Sequence, residues 1–409
     1  MTTLPLRILR TIANTTIAGT LDTAIEANDA CLAWLLVENG AMINDDALYY
    51  ASEWGHTEIV RMLLNLPLDR GIDPSTEDNN ALRLASAHGH TEIVRMLLDL
   101  PRERGVNPSA RDNYALQYAC AKRNTEIVRL LLELPHAHGV HPAVDDNLAL
   151  RNACAKGNTD IVRLLLDLPL ERGVAPSARN NQALRIACNN GHTEIVRLLL
   201  DLPAERGVDP AANNNEALRH ANAHGHTEIV CMLLNLTLDH GIDPSAEDNY
   251  ALSIASCYGY VEIVRMLLDL PRERGVNPSA RGNYALREAC RNGHTEIIRM
   301  LLDLPLERGV NPAARDNDAI RLASANGHTE IVRLLLDLSL ERGVDPAARD
   351  NAALICACYW GLTEIVRMLL DLPLKRGVNP GGANNNEALL HASNRGHTEV
   401  VRMLKAKFP

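Results

Sequence analysis

The chain has 409 residues, a formal net charge of −10 and 46% hydrophobic residues. The acidity argues against a general nucleic-acid binder, which needs a basic stripe, and no apolar run reaches the ~18 residues of a membrane span. The opening stretch, interrupted by Arg7 and Arg10, lacks the apolar core of a secretory signal. A cytoplasmic protein is therefore expected, or one in a host cytoplasm if it is a delivered effector.

In chain order, residues 1–20 come first, with an amphipathic segment from Leu4 to Ile12 that would serve as an N-terminal cap. A degenerate unit begins at Leu21, where Asn28-Asp29-Ala30 holds the place later taken by GHTE. Eleven clear units follow, best seen from Asp78 to Pro108. Thr91 of that unit recurs as Thr57, Thr125, Thr159, Thr193, Thr227, Thr295, Thr329 and Thr363, Val261 takes the slot once, and Thr398 closes the series. Each step is 34 residues except the last, which is 35 because of one extra residue after Gly381. A period of this size marks a stacked array. Such a solenoid grows by adding units, so residues 21–409 need no domain split.

Within a unit, Asp78 and Asn79 are expected to cap a short first helix, which Gly89 ends in the left-handed conformation. Thr91 is expected to cap a second helix running from Glu92 to Leu100. That helix is apolar over most of its circumference and belongs between neighbours. Pro101 stops it or starts a further turn, and the stretch to Pro108 reads as an ordered loop. Glu92 and Arg95, three apart, can pair weakly.

The stretch ALRLASxxGHTEIVRMLL resembles the ankyrin repeat, whose consensus reads TPLHxAAxxGHxEIVxxLL. The resemblance implies an all-α, ankyrin-type helical solenoid of about 11–12 helix-turn-helix repeats. It implies a protein partner held on the concave face. Two departures stand out. Arginine fills the family's histidine slot at Arg83, Arg151, Arg185, Arg219, Arg287 and Arg321, and the family's β-hairpin is shortened to PSARDN while the second helix is expected to gain roughly a turn.

Internal repetition separates constrained slots from free ones. The Ala85 slot is alanine in all eleven units, so packing admits only a methyl group. The next slot holds Cys120, Cys154, Cys188, Cys290 and Cys358, with serine or Asn222 elsewhere. It wants a small side chain, and no disulfide is expected to bridge packed helices roughly 8–10 Å apart. The glycine slot breaks once, at Arg123, where a strained cap is expected. The free slots are the residue after the Asp-Asn pair, such as Asp318, and the two residues before Gly89. The candidate partner-binding residues, Tyr49, Trp54, Tyr114, Tyr118, Tyr250, Tyr258, Tyr260, Tyr284, Tyr359 and Trp360, fall in slots that packing does not dictate. Tyr and Trp are the side chains that anchor interfaces.

No catalytic residue, metal site or cofactor is assigned. His90 and its counterparts read as structural. His136, His138 and His141 crowd one loop without an obvious fourth ligand, and His220 and His224 lack the glutamate of a HExxH motif. The pairs Glu103-Arg104, Glu171-Arg172, Glu205-Arg206 and Glu307-Arg308 are expected to form solvated ion pairs between repeats. Leu4, Pro5, Ile8, Leu9 and Ile12 are similar to the opening of an F-box, in a stretch shorter than that module. The reading is a monomeric, non-catalytic scaffold for another protein, with no nucleic acid or membrane. The alternative is an adaptor that recruits a bound protein to a ubiquitin ligase.

Overall fold

The computed structural model describes residues 21–44, 46–67, 72–373 and 385–407. The F-box-like and cap segment from Leu4 to Ile12 lies outside them, as does the extra residue near Gly381. The chain divides into two compact bodies, one ending at Asp209 and one starting at Pro210. Each contains six helix pairs, and no strand occurs among the described residues. Within each body, successive first helices pack on one another, successive second helices do the same, and the two helices of a pair close the layer. This is the all-α solenoid that the period predicts.

The degenerate opening unit belongs to the stack. It forms helices Leu21–Glu26 and Ala30–Glu38. Asn28 takes the left-handed position that glycine takes later, and the Asp29 carboxylate caps the second helix by accepting from Leu32 N at 2.9 Å.

A typical first helix runs from Thr76 to His88, but its opening is not right-handed. Glu77, Asp78 and Asn79 all have positive φ, 49°, 57° and 62°. The same three-residue left-handed turn recurs at 111–113, 145–147, 179–181, 213–215, 247–249, 281–283, 315–317 and 349–351. It stands where the family has a hairpin, and it corrects the expectation that Asp78 and Asn79 cap the helix. Ordinary L-residues lose roughly 1–2 kcal/mol each in this conformation, and Asn and Asp lose less. That explains the Asp-Asn pair, and it means that something must hold the turn.

Two groups do. The first is the arginine in the family's histidine slot. Arg151 donates from Nε to Asp146 O at 3.1 Å and from Nη2 to Asp145 O at 2.7 Å. Arg83, Arg185, Arg219 and Arg287 clamp the same carbonyls of their own turns, and Gln117 reaches Asp112 O from the same slot. A histidine lacks the fork needed to span two carbonyls. The second group is the buried asparagine that ends the turn. Asn79 Oδ1 accepts from Asn107 N of the next unit at 2.7 Å, and Asn113, Asn147 and Asn181 repeat the bond in the first body. In the second body Asn215, Asn249, Asn283 and Asn317 do the same.

The helix ends follow the glycine pattern. Gly89 has φ 86°, and Arg123 is forced to φ 68° in the same slot, the strain expected of it. A second reason for glycine is spatial. A Cβ on Gly157 would lie 2.7 Å from the His192 ring of the next unit, and Gly55 and Gly293 are crowded by His90 and His328. After Arg123 the next unit carries the smaller Asn158, whose Nδ2 donates to Cys120 O at 2.6 Å.

The second helix spans Thr91–Leu98, one residue earlier than expected at its start. Its N-cap is His90 rather than Thr91, and no side chain caps it. Ile93, Val94 and Leu97 are buried and the helix packs between the second helices of the units on either side, as expected, while Glu92 and Arg95 face solvent. After Pro101 a 3-10 turn covers Arg102–Arg104, and Gly105 closes it at φ 74°. Ala85 and its counterparts are fully buried, as the repetition requires, and all nine cysteines are free thiols.

Arg123→Gly should raise the melting temperature by about 2–4 °C, from roughly 1 kcal/mol of relieved backbone strain. For the asparagine ladder, Asn147→Gly and Asn147→Ala should both lower stability in denaturant titrations. The alanine variant should lose about 1 kcal/mol more, because it also carries a Cβ into the left-handed region.

Candidate functional site

The open surface lies on the first helices. Residues four apart share one face of a helix, so the slot after the asparagine, the slot four residues on and the slot four beyond that make one row per unit. In successive units of the first body the rows read Asp46-Tyr50-Trp54, Asn80-Leu84-His88, Tyr114-Tyr118-Lys122, Leu148-Asn152-Lys156 and Gln182-Ile186-Asn190. In the second body Tyr250-Ile254-Tyr258, Tyr284-Glu288-Asn292 and Ala352-Cys356-Trp360 continue the pattern.

Four of the ten candidate residues are well exposed: Tyr258 at 58%, Trp360 at 55%, Trp54 at 41% and Tyr118 at 38%. Tyr118, Tyr258 and Trp360 sit on the later turns of first helices, and Trp54 follows directly on the end of one. The remaining six are half-buried. Tyr114 stacks on Tyr118 with centroids 4.0 Å apart, and the Arg83 guanidinium lies over Tyr114 at 4.7 Å. Burial, then hydrogen bonding to Tyr118, pushes the Tyr114 hydroxyl above its ordinary pKa. Tyr50, beside Tyr49, stacks on Trp54 at 5.2 Å. Tyr359 meets Trp360 edge-on at 5.0 Å, with Arg395 over both rings.

Tyr250, Tyr258, Tyr260 and Tyr284, from two adjacent units, do not form one ring cluster. Tyr258 touches Tyr260 at 5.8 Å, but Tyr250 lies under Arg219 and Tyr284 beside Arg287. Tyr260 fills the histidine slot at the start of the second helix. Its ring would stand 2.7 Å from a Cβ on Gly225, so its position is set by packing on the neighbouring unit.

Asp318 corrects the idea that its slot is free of structural duty. Its side chain is 8% exposed and receives Arg287 of the preceding unit at 2.9 Å and Arg321 at 2.5 Å. Burial alone pushes the carboxyl up, but the hydrogen bonds and charges of Arg321 and Arg287 outweigh it and hold the pKa below the usual range. In the first body Arg151 makes the equivalent reach to Gln182 Oε1 at 3.1 Å.

The Glu-Arg-Gly rows are also corrected. Arg104 donates to Leu64 O at 3.3 Å and Ile72 O at 3.2 Å of the preceding unit, while Glu103 points to solvent. Arg172, Arg206, Arg274, Arg308 and Arg342 bond the corresponding helix-end carbonyls. Ion pairs between units run instead along the second helices, as in Arg95–Glu126 and Arg163–Glu194 at 2.5 Å and Arg299–Glu330 at 2.9 Å. These pairs are exposed and contribute roughly 0–1 kcal/mol each.

The histidines of the GHT slot bond the preceding unit's backbone, as His90 Nε2 does to Glu53 O at 2.8 Å and His294 Nε2 to Cys257 O at 2.9 Å. His136 and His138 lie on a 3-10 turn, and the His141 backbone is held by Asn113. No group of three or more His, Cys, Asp or Glu stands ready for a metal ion among the described residues. Burial pushes the thiols of Cys120, Cys154, Cys188 and Cys290 far up, which disfavours their nucleophilic form.

Asp318→Asn should cost about 2–3 kcal/mol near neutral pH, since two guanidinium groups lose their charged partner. The Asp318 carboxyl has a depressed folded pKa, so its contribution is present above the unfolded value of about 3.9 and is lost as pH falls through the lower folded value. The variant should therefore show a shallower loss of stability in acid, measured by urea titration at several pH values.

A family model described as ankyrin repeats (3 copies) matches residues 21–112, 100–174, 168–248, 235–316, 252–350 and 304–384. None of the curated proteins compared with the chain matches it. The stacked helix pairs, the glycine and histidine bonds between units and this match agree, and the chain belongs to the ankyrin repeat family.

Proposed function

We propose that residues 21–409 form a non-catalytic scaffold that holds another protein on the first-helix face, the side that the resemblance makes concave. The family is one of protein-interaction scaffolds. The observation that carries the site is a division of labour among slots. Asparagine, arginine, glycine and histidine slots make the bonds within and between units. Tyr118, Tyr258, Trp54 and Trp360 remain exposed on the face that those bonds leave open. Exposed aromatic side chains of this kind form the anchors of protein interfaces.

The monomeric state and the cytoplasmic location belong to the same reading. No helix among the described residues is long and apolar enough to cross a membrane. Nine unpaired thiols, five of them fixed in one packing slot, suit a reducing compartment.

Affinity capture from cell extract followed by mass spectrometry identifies the partner. Replacing Tyr118, Tyr258 and Trp360 together by alanine should then weaken its binding by about tenfold or more, with circular dichroism and melting unchanged. Undiminished binding by a folded variant would refute the assignment of the face.

A further inference from the structure

The chain has only five lysines, in a protein of net charge −10. Two of them, Lys122 and Lys156, occupy the same slot on neighbouring first helices, Ala110–Lys122 and Val144–Lys156, which pack together in the first body. Both are exposed, and neither makes an ion pair among the described residues. The arginines around them are committed: Arg111 to Asp78 at 3.0 Å, Arg151 to its left-handed turn and Gln182, Arg163 to Glu194 at 2.5 Å. The exposed Arg123 stands beside Lys122 and donates to Gly157 O at 3.4 Å. The outer ring of the Tyr114–Tyr118 stack lies one helical turn before Lys122 on the same face.

From this we infer that the first-helix face of the first body takes an acidic, partly apolar protein segment. The inference rests on the scaffold reading and names the chemistry of the partner. Lys122 and Lys156 would each receive one carboxylate, and Tyr118 would cover an apolar side chain between them. Packed helices lie roughly 8–10 Å apart, which about three residues of extended chain span at ~3.3 Å each. Aspartates or glutamates some three residues apart therefore fit the two ammonium groups. Lysines in one slot of two helices that lie roughly 8–10 Å apart suit separate carboxylates better than a single phosphate. A nucleic acid would meet a strongly acidic molecule with few free cations.

The test selects binders from a displayed library of random peptides on the full chain, then measures the winners by fluorescence anisotropy. Enriched peptides should carry paired acidic residues beside an apolar one and weaken as salt is added. They should lose about tenfold or more in affinity on the K122E/K156E variant. Both lysines are exposed, so circular dichroism should show that variant folded. Winners without acidic enrichment, or winners indifferent to K122E/K156E, would overturn the inference, as would tighter binding of single-stranded RNA at the same lysines. If winners ignore the lysines but are lost on replacing Tyr118, Tyr258 and Trp360, the acidic assignment fails and the scaffold reading stands. If no peptide depends on the first-helix face at all, both fail.

Discussion

A single asparagine carboxamide ties one unit to the next along most of the array. Its oxygen accepts a backbone N–H 28 residues ahead, as Asn147 does from Ala175 at 2.9 Å, and eight such bonds run through the two bodies. To place that carboxamide, the chain makes a left-handed turn in nine units among the described residues, at a cost of roughly 3 kcal/mol each before compensation. The arginine fork on the turn's carbonyls offsets this, since bonds to a charged donor contribute about 1.5–3 kcal/mol. Turn, clamp and bridge form one device, and the departure from the family's histidine is part of it.

The device explains how the surface is partitioned. Once Arg104 and its counterparts bond helix-end carbonyls, and His90 and its counterparts bond the preceding unit, few polar side chains of the repeat remain idle. The glutamates and arginines of the second helices pair along a solvated face. The first-helix rows carry the aromatic side chains that vary from unit to unit, and there Trp54, Tyr118, Tyr258 and Trp360 stay open. Variation is tolerated where nothing structural depends on the residue. Asp318 shows the limit: in one unit the same row is drawn into a buried ion-pair network with Arg287 and Arg321.

Substitutions in one slot also propagate to the next unit. The imidazole of His192 lies where a Cβ on Gly157 would be, so glycine and histidine fit together across a repeat boundary. Where Arg123 replaces the glycine, Asn158 replaces the histidine and keeps the bond to the preceding backbone. The small side chain leaves room that an imidazole would fill. The pairing is not strict, since Gly89 faces Asn124, Gly225 faces Tyr260 and Gly327 faces Leu362 across the same kind of boundary.

Much of this was legible in the sequence. The 34-residue period, the alanine that admits only a methyl group, the left-handed glycine and the apolar stripe of the second helix are local or periodic properties, and physical chemistry reads them directly. The constancy of Asn79 beside a variable Asp78 was a visible signal of a duty stronger than capping. What that duty was could not be read, because its partner is a backbone N–H in the next unit and backbone groups leave no trace in residue identity. The same reason hid the carbonyls bound by Arg83 and Arg104, so Arg104 read as an ion-pair partner and Arg83 only as a departure from the family's histidine. Ten aromatic candidates were equally visible as free slots. Which of them stand open, as Tyr258 does, and which lie against a neighbouring backbone, as Tyr260 does, was decided only by how one helix pair settles on the next.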